Sequence, residues 1–303
     1  MKIAIIGYRN HALRLRALLN KLGYENIINY NYHKHSIQTL SEADIFFIAT
    51  PNASHVDWVK RLEDYNKYIF CEKPPATNEK DLEDIHEYRE KLYFNFNYRF
   101  SLLAKVVKKY NRNGELGSPI YINCLSTHGL AFKKAFQNNW RFRDGSVFSS
   151  VVGNVGVHYV DLLTYLFGPS TDLTIKYLPV ASKELPDTCK ITVAMNRCFA
   201  DVFLSYASPF TNRITVIYDD GIVELANGEL SVREPRDSYD KDGYFISPNK
   251  KIIGEFRNAR HYYDDALTES IKYFLACVNN NIAIPVEHYR QSIESNRLLL
   301  KKG

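Results

Sequence analysis

The first stretch of the sequence with catalytic potential is Cys71-Glu72-Lys73-Pro74-Pro75, which directly follows an apolar run. A lysine at the carboxyl end of a parallel strand points into the crevice where such sheets bind ligands. Its ammonium group could bind a substrate hydroxyl and, if desolvated, take part in proton transfer. Spacing alone leaves open that Lys73 is an ordinary surface lysine.

A second stretch, from Gly153 to Asp161, places polar side chains at helical spacing. Asn154 and His158 are four residues apart and therefore share one face of a helix. Asp161 comes one turn later and could orient the imidazole, or it could cap the helix or pair elsewhere. A histidine here could be a general base, but a lone helical histidine is more often structural, and the spacing does not decide.

The third stretch is a strand, turn and helix near the start of the chain, with Gly7 and Ala12 at the first and third positions of a GxGxxG dinucleotide motif. Arg9 stands at the second position, where glycine normally lets the backbone approach the pyrophosphate. Its guanidinium must swing aside or bind the phosphates itself. The turn predicts cofactor contacts at Gly7, Tyr8, Arg9, Asn10 and His11. A Rossmann-like turn that binds no nucleotide remains the alternative.

The end of the second predicted strand bears on the choice of cofactor. An acidic residue there would hold the ribose hydroxyls of NAD, but this chain has Asn31, followed by His33, Lys34 and His35. Nothing there repels a 2′-phosphate, and cationic side chains are near. The pattern leans slightly toward NADP over NAD, although a solvated loop would look the same.

The elements that must position these residues alternate between strand and helix over the first hundred residues. Short isoleucine-rich and phenylalanine-rich runs are typical of buried parallel strands. The predicted strands are Lys2–Ile6, Asn26–Asn31, Asp44–Ala49, Tyr68–Cys71 and Leu92–Phe96, and the predicted helices are Ala12–Leu22, Ser54–Tyr65 and Leu82–Lys91. This order predicts an α/β Rossmann domain with a doubly wound parallel sheet.

The second half of the chain reads differently. A strand at Ile120–Leu125 and a helix at Asn154–Phe167 precede several strand-like segments, with a hairpin signal at Asp219-Asp220-Gly221. Two closing helices are predicted at Asp264–Asn279 and Val286–Lys301. We therefore predict an α+β domain with a largely antiparallel open sheet. The predicted domains are 1–117 for the dinucleotide and 118–303 for substrate binding and oligomerisation.

Composition sets the broad class. The charge of +5 is a mild excess and its basic residues are scattered, so nothing points to nucleic acid. Five widely spaced cysteines without a CxxC pair support neither a zinc site nor a disulfide framework, and we expect no metal. Reduced thiols, the absence of a signal-peptide pattern and the lack of any apolar run of membrane-spanning length lead us to expect a cytoplasmic protein.

Taken in order, these motifs resemble those of the Gfo/Idh/MocA oxidoreductase family, which includes glucose–fructose oxidoreductase and inositol dehydrogenase. The motifs are Gly7-x-x-x-x-Ala12, Ala49-Thr50-Pro51-Asn52-x-x-His55, Glu72-Lys73-Pro74, Asn97-x-Arg99-Phe100, Trp140-Arg141 and Gly156-x-His158-x-x-Asp161. The resemblance spans nearly the whole chain, and the Glu-Lys-Pro tripeptide in this position is specific. It implies NAD or NADP at the Rossmann domain, a substrate between cofactor and C-terminal sheet, and a homodimer or homotetramer assembled through that sheet.

The resemblance also implies roles for individual residues. Lys73 and His158 match the family's catalytic lysine and histidine, and Asn154 stands where the family has an aspartate. An amide can bind a sugar hydroxyl but cannot accept a proton, and general acid–base catalysis contributes roughly 10²–10⁴ in rate. The implied cofactor contacts are Gly7 to His11, Asn31, Thr50, Pro51, Asn52, His55, Glu72, Lys73 and Asn97. The implied substrate contacts are Lys73, Arg99, Trp140, Arg141, Asn154 and His158.

The implied activity is NAD(P)-dependent hydride transfer to or from a secondary alcohol of a sugar, sugar derivative or nucleotide sugar. Two alternatives stay open. The departures at Arg9, Asn31 and Asn154 would also suit a catalytically impaired member that binds a sugar or nucleotide as a regulatory or scaffold protein. The second alternative is a family enzyme that performs an elimination or hydrolysis with a cofactor that it never releases.

Overall fold

The structure is a computed structural model that describes residues 1–31, 33–133, 150–181, 186–234 and 239–301. The chain divides into two compact units. The first unit comprises Met1–Phe96 and Thr268–Lys301, and the second comprises Asn97–Leu267 with the last two residues. The second unit is therefore an insertion in the sequence of the first.

The first unit is built on a five-stranded parallel sheet in the order β2-β1-β3-β4-β5. The strands are β1 (Ile3–Ile6), β2 (Ile27–Tyr30), β3 (Ile45–Ile48), β4 (Tyr68–Glu72) and β5 (Leu92–Asn95). Every residue of β1, β3, β4 and β5 is buried, as expected of a parallel sheet covered on both faces. The predicted Rossmann domain is confirmed.

Helices from both ends of the sequence cover this sheet. Helices α1 (Asn10–Lys21), α2 (His55–Glu63) and α3 (Glu79–Asp84) follow strands β1, β3 and β4. The end of helix α6 (Ala259–Asn279) and helix α7 (Val286–Leu300) complete the cover. Phe274 of α6 packs edge-on against Phe47 and Phe70 of the sheet, with ring centroids 5.5 and 5.4 Å away.

The second unit is built on an eight-stranded sheet in the order β13-β12-β11-β10-β6-β9-β8-β7. Its neighbouring strands are antiparallel except β6 and β9, which are parallel. The strands are β6 (Pro119–Thr127), β7 (Ser170–Leu178), β8 (Thr188–Met195), β9 (Phe199–Ser205), β10 (Thr211–Tyr218), β11 (Gly221–Ala226), β12 (Glu229–Arg233) and β13 (Lys250–Glu255). The predicted largely antiparallel sheet is confirmed.

Helical elements line the buried face of this sheet. A 3₁₀ turn at Asn97–Phe100 leads into α4 (Leu102–Asn113), and a π-helical turn at Val152–Gly156 leads into α5 (Val157–Phe167). A Cβ built on Gly156 would lie 3.0 Å from Ile191 of β8 and 3.3 Å from Leu204 of β9. The small residue thus lets the start of α5 approach the sheet closely.

The chain divides into its compact units at 96/97 and 267/268, and the predicted domain boundary at 117/118 stays a prediction. One helix differs from the sequence prediction. Helix α3 ends at Asp84, with Ile85 at its C-cap, whereas the prediction continued it to Lys91. Beyond its end, Ile85 and Tyr88 bind the C-terminal segment through Tyr289 Oη to the Ile85 carbonyl and Tyr88 Oη to the Ile284 carbonyl.

Within the described ranges, no helix combines the length and apolar character needed to cross a bilayer.

Candidate functional site

The turn between β1 and α1 is shaped by Gly7. Its φ is +141°, a Cβ at this position would lie 2.7 Å from the Ala49 carbonyl oxygen, and its N–H donates to the Tyr30 carbonyl oxygen at 3.0 Å. Both the backbone angle and the contact with Ala49 require glycine. The neighbouring strands β2 and β3 therefore meet β1 directly at this turn.

Helix α1 begins at this turn without a side-chain cap. Arg9 is its N-cap residue, and the Arg9 side chain makes no capping hydrogen bond. Tyr8, Arg9 and Asn10 are exposed, and the Arg9 guanidinium lies 5.9 Å from the centroid of the Tyr8 ring. First-turn N–H groups and the helix dipole favour an anion at such an end. The turn thus fits a dinucleotide pyrophosphate, with Arg9 at the surface.

His11, in the first turn of α1, pairs with the carboxylate that ends β4. Its Nε2 lies 2.7 Å from Glu72 Oε1, and Asn95 Nδ2 donates to the same oxygen at 2.9 Å. Burial by itself raises the pKa of Glu72. The charge and hydrogen bond of His11, the charge of the next residue and the Asn95 bond outweigh it and lower the pKa to about 2. Glu72 is therefore an anion that holds His11 beside the turn.

A buried hydrogen-bond chain supports Glu72 from the core of the unit. Ser270 Oγ of α6 donates to Asn95 Oδ1 at 2.7 Å, and Tyr93 Oη lies 2.6 Å from the same Oγ. Asn95, Ser270 and Tyr93 are all buried. This chain fixes the amide of Asn95, so its N–H points at Glu72. The prediction that Glu72 contacts the cofactor stays a prediction, and the observed contact is with His11.

His55, the histidine of the Thr50-Pro51-Asn52 motif, joins two loops. It is completely buried, with Nδ1 2.8 Å from the Pro74 carbonyl oxygen and Nε2 3.2 Å from the Thr50 carbonyl oxygen. Burial lowers the pKa of His55, although both carbonyls oppose that shift. The prediction that His55 contacts the cofactor stays a prediction, and its observed contacts are with the loops that follow β3 and β4.

Lys73 sits in the loop that His55 holds. Its side chain is half-buried, and the Ala76 N–H that follows donates to Asn296 Oδ1 of α7 at 3.0 Å. Thr50 is half-buried, Pro51 is exposed and Asn52 is buried. The loop that carries Lys73 is thus fixed on one side by His55 and on the other by Asn296.

The loop after β2 offers amide and imidazole groups. Asn31 Oδ1 accepts from the His33 N–H at 3.0 Å, and the Asn31 N–H donates to His35 Nδ1 at 3.2 Å. The described residues of the loop, Asn31 and His33 to His35, include no carboxylate. The Asn31 side chain shapes the loop, and its predicted contact with the cofactor remains a prediction.

In the second unit, Asn154 and His158 lie on successive turns across the change from π-helix to α-helix. Asn154 is buried and its Nδ2 donates to the Ser150 carbonyl oxygen at 3.0 Å, while His158 is half-buried. Single π turns inside helices occur often at functional sites. A carboxylate could not make the bond to Ser150, so this turn is adapted to an amide.

Asp161, one turn beyond His158, forms an ion pair with Arg99. Arg99 Nε donates to Asp161 Oδ2 at 2.8 Å, and a second guanidinium nitrogen donates to Oδ1. Both side chains are almost completely buried, at 2% and 0% exposure. The pair joins the turn Asn97–Phe100 to α5, and the predicted substrate contact of Arg99 stays a prediction. Asn97, in the same turn, is buried.

The predicted substrate residues Trp140 and Arg141 lie outside the described residues. Among the residues that the structure does describe, no group of three or more His, Cys, Asp or Glu side chains could hold a metal ion. The site contains three residues that sequence reasoning missed, namely Asn95, Ser270 and Asn296. Their partners are distant in sequence, so no local spacing pattern marks them.

Fold and site together define a nucleotide-binding oxidoreductase of two units, and comparison with known proteins agrees. Residues 2–93 match the family model for an oxidoreductase family with an NAD-binding Rossmann fold, and residues 105–224 match the GFO/IDH/MocA C-terminal domain. The chain belongs to the Gfo/Idh/MocA family.

The chain is similar to named dehydrogenases. It is 26% identical to levoglucosan dehydrogenase from Pseudarthrobacter phenanthrenivorans over 40% of this chain, although the match spans only 32% of that relative. It is 26% identical to inositol 2-dehydrogenase from Rhizobium meliloti over 82% of this chain and 74% of that protein. Among solved structures, WlbA dehydrogenase from Bordetella pertussis, in complex with NADH and UDP-GlcNAcA, aligns with a TM-score of 0.77 at 15% identity, covering 100% and 94% of the two chains.

Proposed function

We propose that this protein is an NAD(P)-dependent dehydrogenase or reductase that acts on a secondary alcohol of a sugar, sugar derivative or nucleotide sugar. The observation that carries the proposal is the β1–α1 turn, where only glycine fits at position 7 and the first turn of α1 has no side-chain cap. Named relatives that act on levoglucosan and inositol support the substrate class.

The proposed roles follow from the chemistry of each side chain. When bound, the nicotinamide would supply or accept the hydride at C4. His158 would take the hydroxyl proton as the alcohol becomes a carbonyl, and Lys73 would polarise the same oxygen with its ammonium group. Both side chains are half-buried, which lets each reach a ligand while retaining a fixed position.

Asn154 would orient a neighbouring hydroxyl rather than move a proton. One of its amide N–H groups donates to the Ser150 carbonyl oxygen, and a side-chain amide can both donate to and accept from a substrate hydroxyl. The family resemblance implies that Trp140 and Arg141 line the substrate or nicotinamide pocket, where Arg141 could hold a carboxylate or phosphate.

We slightly favour NADP over NAD as the cofactor. Asn31 and the basic residues behind it stand where NAD enzymes carry an acid. Arg9, exposed at the N-cap of α1, is suited to phosphate oxygens, and His11 is held next to the same turn by Glu72.

A second candidate is a catalytically impaired member that binds a sugar or nucleotide and regulates or scaffolds another process. The bond from Asn154 to the Ser150 carbonyl favours it, since the position has been adapted to a group that cannot act as a base. An enzyme that keeps its cofactor through an elimination or hydrolysis would be recognised by dinucleotide that copurifies and is not consumed.

The first experiment is a fluorescence titration of the purified protein with NADH and NADPH, after a check for dinucleotide that is already bound. We expect micromolar or tighter binding, with NADPH ahead of NADH. If neither NADH nor NADPH binds and no dinucleotide copurifies, we would conclude that Arg9 closes the cofactor site. A catalytically impaired family member would then describe the protein better than an enzyme.

The second experiment separates binding from catalysis. His158→Ala should abolish turnover of any sugar alcohol that wild type oxidises and leave the affinity for NAD(P)H within about twofold, because His158 lies in the second unit. Normal turnover by the variant would show that His158 does not have the proposed role.

A further inference from the structure

The imidazole of His158 lies against an aromatic ring to which no sequence motif gives a role. The ring of Tyr98 stacks on His158 with centroids 4.3 Å apart and planes inclined by only 12°. Tyr98 belongs to the 3₁₀ turn Asn97–Phe100 and His158 to α5. The stack therefore joins two elements and defines the plane of the imidazole.

Tyr98 is itself held firmly. Tyr263 of α6 stacks on it at 5.0 Å and 20°, and Tyr159 of α5 meets it edge-on at 5.6 Å and 87°. Rings packed in these geometries attract one another beyond the effect of burial, so Tyr98 is a fixed support.

The residue that follows Tyr98 fastens the same turn to the same helix. Arg99 holds Asp161 with two hydrogen bonds. Asp161 was the side chain that the sequence offered as an orienting partner for His158. Asp161 is thus bonded to Arg99, and the aromatic ring that lies against the imidazole of His158 is that of Tyr98.

Stacking on a phenol ring affects the two forms of an imidazole differently. The face of an aromatic ring carries negative charge density and attracts a cation. Burial raises the pKa of Tyr98 well above its ordinary value, so the ring stays neutral at working pH. The ring face favours the protonated imidazole, which is the form that His158 reaches after accepting a proton.

We propose that Tyr98 is the positioning residue of the catalytic histidine, fixing the plane of His158 and stabilising its imidazolium through the face of the phenol ring. This inference rests on the proposed function for its catalytic meaning. The charged and titratable groups that these contacts bring to this part of α5 are Arg99 and Asp161, which neutralise each other, and the tyrosines at 98, 159 and 263.

The experiment is an NMR titration of the histidine side chains in the full-length protein without substrate or cofactor. The chain has nine histidines, and the spectrum of His158→Gln assigns the signal of His158. The variants are Tyr98→Phe, which keeps the ring, and Tyr98→Leu, which removes it. Tyr206→Leu is the matched control, because Tyr206 stacks on His128 at 4.7 Å and 24° elsewhere in the same unit.

In Tyr98→Leu the titration midpoint of His158 should fall by about 0.4–1.5 pH units, the effect of losing one cation–π contact. Tyr98→Phe should leave the midpoint close to that of wild type, and Tyr206→Leu should move the signal of His128 alone. An unchanged His158 midpoint in Tyr98→Leu would overturn the proposal.

If Tyr98→Leu does not fold, pentafluorophenylalanine at position 98 replaces it, since that ring has a similar shape but a face depleted of negative charge. Its midpoint should also fall relative to Tyr98→Phe, and equality of the two would count against the proposal. The titration needs no turnover, so it succeeds or fails independently of the proposed dehydrogenase activity. If activity is found, the acid limb of kcat/KM should move with the midpoint.

Discussion

Glu72 shows how one buried charge organises the cofactor half of the molecule. Its carboxylate is almost out of contact with solvent, yet His11 Nε2 and Asn95 Nδ2 both lie within hydrogen-bond distance of it. A buried carboxylate is tolerated only when such partners satisfy it. The glutamate of the Glu-Lys-Pro motif therefore has a structural task, because it holds the first turn of α1, while the ligand role of the lysine stays a proposal.

The lowered pKa of Glu72 predicts a specific loss of stability in acid. The unfolded carboxyl takes up a proton near its ordinary pKa of 4.5, whereas the folded one stays ionised until about 2. Between these values the unfolded state binds more protons, so the free energy of unfolding should fall by about 3 kcal/mol as the pH drops through this window. Urea unfolding at a series of pH values measures it.

In Glu72→Gln this component of the pH dependence should disappear. The matched control is Glu87→Gln, at an exposed glutamate of the same unit, which should keep the wild-type slope. An identical slope in wild type and Glu72→Gln would show that folding does not lower the pKa of Glu72.

The individual site residues divide according to the range over which they act. Glu72, Lys73, Asn154 and His158 stand in contiguous motifs and could be named from the sequence. Their partners could not, because Glu72 meets His11 and Arg99 meets Asp161 across 61 and 62 residues of sequence. Only the fold brings such pairs together, so the sequence could not reveal that Arg99 and His55 are buried and bonded within the protein.

At the scale of elements, His55 connects two loops that follow adjacent strands, because its two ring nitrogens lie 2.8 and 3.2 Å from a carbonyl oxygen in each loop. His55→Leu should leave a buried carbonyl without its donor and lower the free energy of unfolding by about 1–3 kcal/mol. It should also weaken dinucleotide binding roughly tenfold, which corresponds to about 1.4 kcal/mol, because the loop that carries Lys73 loses its anchor. Urea unfolding and the fluorescence titration measure the two effects.

Val56→Ala provides the comparison for His55→Leu, since Val56 is the next residue on α2 and is also buried. A cavity there should cost about 1–3 kcal/mol while both loops keep their link. Equal losses of affinity in the two variants would mean that stability alone, and not the bridge between loops, controls binding.

The elements themselves were predictable where a local pattern specifies them. All five parallel strands coincide with apolar runs in the sequence. The π turn and α5 together begin at Val152 and end at Phe167, compared with the predicted helix Asn154–Phe167. Helix α4 and strands β12 and β13 were not predicted. Strand β13 has no fully buried residue and so lacks the period-two pattern by which a strand is recognised.

At the scale of the whole molecule, the eight-stranded sheet has an outer face that mixes apolar and polar side chains. Phe199 and Phe203 of β9 are exposed, at 63% and 38%, and Tyr121 and Leu125 of β6 are their cross-strand neighbours. Exposed apolar patches of this kind mark interaction surfaces. A second copy of the chain is the expected occupant, since the family resemblance implies a dimer or tetramer formed through this sheet.

Phe203→Glu should therefore convert the assembly to a smaller species, because each copy would have to bury a carboxylate in the proposed interface. Light scattering after size-exclusion chromatography gives the mass. The control is Phe245→Glu, at a residue that is 84% exposed and lies outside the named strands of the sheet. A monomeric wild type, or an unchanged mass in Phe203→Glu, would remove this face from consideration.

The insertion of the second unit into the sequence of the first has a consequence for synthesis on the ribosome. Domains usually fold as their chain emerges, N-terminal part first. Here residues 97–267 can complete their own sheet while the earlier 96 residues still await the segment Thr268–Lys301. Until it arrives, Phe47 and Phe70 lack Phe274, and Glu72 lacks the Ser270 end of its hydrogen-bond chain. A nascent chain would therefore complete the first unit only after residues 268–301 have been synthesised, and until then the aromatic surface at Phe47 and Phe70 would stay uncovered by Phe274.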